Sequence, residues 1–311
     1  MRAVVISEPG GPAVLTVADR EVRPPGEGEV AIRVKAAAVN PTDVLGREMG
    51  YGDVPEPWTP GMDAAGVIET VGPGVDRFSP GDEVMAGVTP RRQEGGAQQE
   101  LLVVAAVSVV PIPDGASLEA AATLPMNGLT AKLGLELLGV TAGDTLGVSG
   151  GAGLLASYVI PLAKAMGLTV IADAKPEDAE LVRGFGADTV VPRGPDLAAV
   201  LREVVPDGVD AVFDTATMTS QVVPGIRDGG AIAVVRGWPD DEPEPDRDIR
   251  VAKVMVATAL DRTQWLEELR ELAGDGRIQL RPDRTFPPEE AAAAQELMDA
   301  GGLRGRALIV F

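Results

Sequence analysis

The first third of the chain places its hydrophobic residues in short, β-branched runs broken by glycine and proline. These are AVVI at 3–6, EVAIRVKAAAVN at 29–40, AAGVIETVG at 64–72, DEVMAGV at 82–88 and LLVVAAVSVVPIP at 101–113. Such runs, closed by turn residues, predict an irregular β domain with many tight turns and no strong helix up to about residue 115. The pattern changes at Ser117. There SLEAAATL joins a Ser N-cap and an early Glu to alanine-rich helix composition, and a helical region broken near Pro125 and Gly128 is expected to reach Leu138.

Beyond Leu138, strand and helix patterns alternate. Apolar strands are expected at TLGVS (145–149), LTVIAD (168–173), DTVV (188–191) and DAVFDTA (210–216), separated by helical runs at 154–167, 176–186 and 197–205. This alternation predicts a parallel sheet with crossover helices, a dinucleotide-binding pattern from about 119 to 260. DGGAIAVVRG adds a turn and a strand, and WPDDEPEPDRD at 238–248 is a loop by composition. The tail reads as a helix (263–276), a β segment (278–286), an alanine-rich helix (287–302) and a closing strand, RALIVF. Periodicity leaves open which domain the tail completes. With 311 residues the chain exceeds what one hydrophobic core normally holds, so two domains, possibly discontinuous in sequence, are expected.

Composition narrows the chemistry more than the fold. The chain has no cysteine and no histidine, and biological zinc sites rely on those ligands, so zinc enzymology is excluded along with disulfides, thiol nucleophiles and Ser-His-Asp triads. Acid–base work is left to carboxylates, Tyr, Lys, Ser, Thr or water. Against 27 Lys+Arg stand 47 Asp+Glu, a net charge of −20 with no basic cluster. That balance repels phosphate backbones and anionic membranes, so neither nucleic acid nor a membrane is an expected partner. The N-terminal MRAVVISEPGG carries no basic region followed by a long apolar one, and a soluble cytoplasmic protein is expected.

The candidate cofactor motif is Gly150-x-x-Gly153-x-x-Ala156, placed where a predicted strand turns into a predicted helix. Glycines there permit a tight turn and close approach of backbone to a pyrophosphate, whose charge meets the helix N-terminal N–H groups. Asp173 closes the next strand, the position from which a carboxylate binds adenosine ribose hydroxyls and disfavours a 2′-phosphate. Lys175 and Arg193 stand nearby and can pair with that phosphate. Asp173 as a turn residue, with both cations simply solvated, is the competing reading.

The joint order of several segments resembles the zinc-independent medium-chain dehydrogenase/reductases of the quinone oxidoreductase (zeta-crystallin-like) group. The segments are MRAVVISEPGGPAVLTV, GEVAIRVKAAAVNPTDVLGREMGYG, PGMDAAGVIETVGPGVDRFSPGDEV, SLEAAATLPMNGLTA, GGAGLLASYVIPLAKAMG, GFGADTVV and AGGLRGRALIVF. The resemblance runs essentially end to end. It implies an α/β protein: a GroES-like β domain from 1–118 and 265–311, a Rossmann doubly wound parallel sheet domain from 119–264, and an active site in the cleft between them. It further implies an NADPH- or NADH-dependent oxidoreductase that uses no zinc and passes hydride to a quinone or an α,β-unsaturated carbonyl, in a homodimer.

Residue by residue, the resemblance places Asn40, of N-P-T-D, at the substrate or nicotinamide, and leaves Asp43 between that role and a helix start. Tyr51 falls beside the nicotinamide, as a proton donor or hydrogen-bond donor to an acceptor carbonyl. Asp63 takes a structural role. Asn127 and Thr130, of P-M-N-G-L-T-A, meet the nicotinamide-ribose side, and Gly237 lies near the carboxamide. Gly150, Gly153, Ala156, Asp173, Lys175 and Arg193 complete the cofactor set.

The departures also inform. Leu154 and Leu155 bring bulk to the phosphate turn, Pro161 stands inside the following helix, a common glycine is missing from Asp214-Thr215-Ala216-Thr217, and Gln98 and Leu101 replace frequent tyrosines. They keep two further readings open: a specialised secondary-metabolite enoyl reductase or cyclase, and a non-catalytic binding protein on the same scaffold.

Overall fold

The glycine-punctuated runs of the first third form strands because their β-branched residues bury one face while Gly and Pro close each turn. In the computed structural model, which describes all 311 residues, these strands belong to a first unit of Met1–Met126, Leu260–Gly276 and Leu280–Phe311. In chain order it contains β1 (Arg2–Ile6), β2 (Leu15–Asp19), β3 (Glu29–Ala38), α1 (Pro41–Met49) and β4 (Asp63–Val71). β5 (Glu83–Gly87), β6 (Leu101–Ala105), β7 (Val109–Pro111) and α2 (Leu118–Ala121) follow. α3 (Pro125–Leu138) begins in this unit and carries the chain into the second, whose body is Asn127–Ala259 with Arg277–Gln279.

The second unit holds β8 (Thr145–Ser149), α4 (Leu154–Ala165), β9 (Thr169–Ala174), α5 (Ala179–Gly184), β10 (Thr189–Pro192), α6 (Leu197–Val204), β11 (Val209–Asp214), β12 (Ile226–Val234) and β13 (Arg250–Lys253). α7 (Thr263–Gly274), β14 (Pro282–Phe286), α8 (Ala291–Ala300) and β15 (Arg306–Val310) return to the first unit. The tail therefore completes the β unit: β15 runs antiparallel to β3, pairing Leu308 with Ala38 and Val310 with Ala36, and β14 lies parallel to β15.

The seven-stranded sheet of the first unit has the order β14-β15-β3-β4-β5-β7, with β6 paired to β3. One core, around Val30, Ile32, Ile68, Val84, Leu102 and Val104, fills its face. A second core gathers Val4, Ile6, Tyr51, Trp58, Phe286 and Ile309.

The second unit is a six-stranded parallel sheet in the order β10-β9-β8-β11-β12-β13, which is the Rossmann arrangement. Its topological switch lies between β8 and β11, and the glycine turn follows β8. No helix joins the parallel pair β12 and β13. The acidic, proline-rich strap 235–249 makes that crossover, tied down by Glu242, which accepts from Thr219 Oγ1 (2.6 Å) and Ser220 N–H (2.9 Å).

One expectation needs correction. The first half does contain a helix: α1 starts with Pro41 at its first position, and Asp43 accepts from the Asn40 N–H, half of a capping box. Gly46 and a charged run (Arg47, Glu48) hide its amphipathic pattern. Beyond the loop at 238–248, the four residues of β13 pair with β12.

Candidate functional site

In the parallel unit, Gly150 follows β8 with φ +69°, a left-handed conformation that glycine adopts without strain. A Cβ on Gly151 would stand 2.6 Å from Asp173 O, so backbone packs against backbone here. Gly153 precedes α4, whose first turn leaves N–H groups without intrahelical partners. Leu154 is buried and sends its bulk into the core, Leu155 is half-buried, and Ala156 is fully buried against the sheet. The added bulk of this turn therefore goes largely inward. Pro161 sits within α4, which continues past it to Ala165.

Asp173 lies at the end of β9, as expected, but its carboxylate does not face solvent. It is 2% exposed, and Oδ1 accepts from Gly150 N–H (2.5 Å) and Gly151 N–H (3.2 Å). Burial raises its pKa, opposed by those two bonds and by the nearby Arg193. Lys175 and Arg193 are both exposed, and Arg193 N–H bonds Ala174 O at 2.9 Å, which sets both cations at the β9 terminus. The residues fit a dinucleotide: a glycine turn that any side chain would fill, a helix N-terminus and two free-standing cations.

The neighbouring turn after β11 is held by Asp214, which is buried. Its Oδ1 accepts from Ser149 Oγ (2.6 Å) and its Oδ2 from Thr219 N–H (2.8 Å). Thr217 and Thr219 take φ +56° and +48°, where the missing glycine would carry no strain. Asn127 and Thr130 lie on the first turns of α3, 3% and 5% exposed, and Gly237 sits at φ +80° after β12. A cavity of about 520 Å³ between Val223, Pro224, Trp238 and strap residues 243–247 is lined by none of the residues expected from sequence.

The β unit presents a buried polar cluster. Asn40 is fully buried and donates through Nδ2 to Asp63 Oδ2 at 2.7 Å. Asp43 accepts from the Asn40 N–H (2.7 Å) and the Gly61 N–H (2.8 Å). Burial pushes Asp43 up to about 7, with Asp63 adding to it, and burial pushes Asp63 up to about 6. Arg306 draws both down.

Tyr51 is not a surface loop residue. It stacks edge-on against Trp58 at 5.9 Å between centroids, and a Cβ on Gly46 would lie 2.2 Å from its ring. Its hydroxyl is buried without a partner, and burial raises its pKa. Gln98 is also fully buried, with Oε1 unpartnered and Nε2 only 3.4 Å from Ala38 O. No three His, Cys, Asp or Glu side chains come together to hold a metal, and a zinc ion does not fit this donor set.

Sequence reasoning missed the bond from the Met126 N–H to Asp63 Oδ1 (2.5 Å) and the burial of Arg47, which donates to Gly10 O (3.0 Å) and Gln295 Oε1 (3.1 Å). Leu124 and Pro125, which leave α3 without a capping side chain of its own, were the only hint of the first.

Profiles for the alcohol dehydrogenase GroES-like domain and for zinc-binding dehydrogenases match residues 26–114 and 185–309. An alcohol dehydrogenase of Geobacillus stearothermophilus is 31% identical over 342 aligned positions, covering 99% of each chain. A chloroplastic NADPH-dependent alkenal/one oxidoreductase of Arabidopsis thaliana is 37% identical over 246 positions, 76% of this chain but 63% of that protein. The chain thus spans less than two thirds of that relative. The solved quinone oxidoreductase of Pseudomonas syringae superposes with a TM-score of 0.88 at 25% identity, covering 100% of this chain and 99% of the other.

Proposed function

Because the chain belongs to the medium-chain dehydrogenase/reductase family, in its zinc-independent quinone oxidoreductase group, we propose that it reduces quinones or α,β-unsaturated carbonyls with NADPH. The observation that carries this reading is the glycine turn between β8 and α4, at the switch point of a parallel sheet, beside two exposed cations. The relative named for alkenal and enone reduction and the solved quinone oxidoreductase support the substrate class.

When bound, the nicotinamide supplies a hydride to the β-carbon of the acceptor. The chain's own part is to bind, orient and hydrogen-bond. Gly150, Gly153 and Ala156 accommodate the pyrophosphate against the first turn of α4. Lys175 and Arg193 take the 2′-phosphate, since the Asp173 carboxylate is buried and engaged by the Gly150 and Gly151 N–H groups. Asn127, Thr130 and Gly237 meet the nicotinamide side. Asn40 and Tyr51 serve the acceptor: the phenol, whose raised pKa keeps it protonated, donates a hydrogen bond to the carbonyl oxygen and strengthens it as negative charge develops there. The balancing proton reaches the α-carbon from solvent. The unpaired edge of β13, followed by the exposed Met255, supports homodimerisation through the parallel sheet, which size-exclusion chromatography with light scattering would test.

NADPH oxidation measured against a panel of enones and quinones tests the reaction. Turnover with at least one class is expected, and tight NADPH binding with no turnover of any would overturn it. Titration with both nucleotides tests the cofactor choice. NADPH should bind more tightly than NADH, and K175A and R193A should each cost about tenfold for NADPH alone, within the range of a charge-assisted phosphate contact.

A further inference from the structure

Asp63 opens β4 with no exposed surface, and its two oxygens take different partners. Oδ2 accepts from Asn40 Nδ2 (2.7 Å), while Oδ1 accepts from the Met126 N–H (2.5 Å). Met126 is the second residue of α3. A helix leaves its first N–H groups without intrahelical partners, and Pro125 has none to give, so Met126 supplies the first orphan donor. Leu124, just before the helix, has no side-chain acceptor to offer it. The acceptor comes instead from 63 positions earlier, and as a carboxylate it also complements the positive end of the helix dipole.

We propose that Asp63 is a positioning residue for the nicotinamide: by capping α3 from β4 it fixes the turn that carries Asn127 and Thr130. The proposal rests on the reading above that those two residues meet the nicotinamide side. Asn40 braces the cap from the other oxygen, and its own N–H is anchored by Asp43. The charged and titratable groups facing the pair are Asp43 from α1, Arg306 from β15 and, beside Asp43, the Tyr51 phenol. Burial lifts Asp63 to about 6, so the cap is a full anion above that pH and weakens below it.

The test compares NADPH with 2′-phospho-ADP-ribose, which lacks the nicotinamide, by titration into the full chain and its D63N, T130A and double variants. D63N is expected to weaken NADPH about fivefold, the scale of one lost cap, while leaving the fragment unchanged. In the double variant the two losses should fall short of additive, because both act through one turn. Equal weakening of both ligands by D63N, or no change in either, would overturn the proposal. If T130A binds NADPH as the parent does, the underlying assignment of α3 fails instead, and the proposal with it. Should D63N not fold, the parent protein still decides. Its Met126 amide resonance should titrate with a midpoint near 6, and NADH, which has no 2′-phosphate to titrate, should bind more weakly below that midpoint. A Met126 amide that does not move with pH would sink the idea.

Discussion

Both units bury carboxylates that accept hydrogen bonds from turns, but in different surroundings. In the β unit, Asp43 and Asp63 are fully enclosed, hold Asn40, Gly61 and Met126, and are lifted by burial to about 7 and about 6. In the parallel unit, Asp173 and Asp214 hold the glycine turn and the turn after β11, with Lys175 and Arg193 exposed near the former. The first pair stiffens backbone that meets no solvent. The second stiffens backbone directly under the surface proposed to receive a polyanion. In the first unit the bond braces enclosed backbone, including the start of α3, and in the second it preorganises the turn proposed to receive the polyanion.

Removing a brace should have the largest effect. Asp43→Ala strands the Asn40 and Gly61 N–H groups in the interior and should cost about 3 kcal/mol, read from urea denaturation. A loss near zero would show that water takes over the acceptor role. Gly151→Val attacks the other unit: its Cβ would stand 2.6 Å from Asp173 O, and NADPH affinity should fall at least about tenfold, or ~1.4 kcal/mol. Unchanged affinity would detach the glycine turn from cofactor binding.

The comparison also sets a direction in pH. The folded pKa values of Asp43 and Asp63 lie above the ordinary 3.8, so the stability these groups add is complete below about pH 4 and is lost as pH rises through about 6 and 7. Surface pairs work oppositely: Glu29, held down to about 2 mainly by Arg23, adds stability that is lost only in acid. At fixed salt, the urea midpoint should be lower at pH 8 than at pH 5, and Asp43→Asn should reduce that difference. An equal difference in the variant would refute the assignment to Asp43. The smallest effect is expected at Thr217, whose φ of +56° is strained for a β-branched residue. Thr217→Gly should gain about 1 kcal/mol as a higher Tm; an unchanged Tm would show that the hydroxyl bond to Ala216 O offsets the strain.

The parallel unit was legible because its signals are local: apolar strands, helical spacing and a glycine cluster all lie within a few residues of one another. The β unit was less so. There α1 was hidden by Gly46 and two charged residues, while in the parallel unit only β13, four residues long behind an acidic strap, left so weak a trace. Asp173 could be placed at the end of its strand, yet nothing in the sequence says that its carboxylate turns back to Gly150. The burial of Tyr51 depends on the space left by Gly46, and the Asp63 cap spans 63 positions; neither leaves a periodic trace. Contacts of this kind follow from tertiary packing, which a local pattern does not encode.

The tail strand has a consequence for synthesis. β3 is made early, but its partner β15 lies at Arg306–Val310, so on the ribosome the sheet of the β unit waits with that edge unpaired. All six strands of the parallel unit, through Lys253, are translated in the meantime. That unit can fold first, while Ala36, Ala37 and Ala38 remain open to the wrong strand until the last residues emerge. A nascent chain stalled just short of Arg306 thus keeps that edge of β3 open to intermolecular pairing.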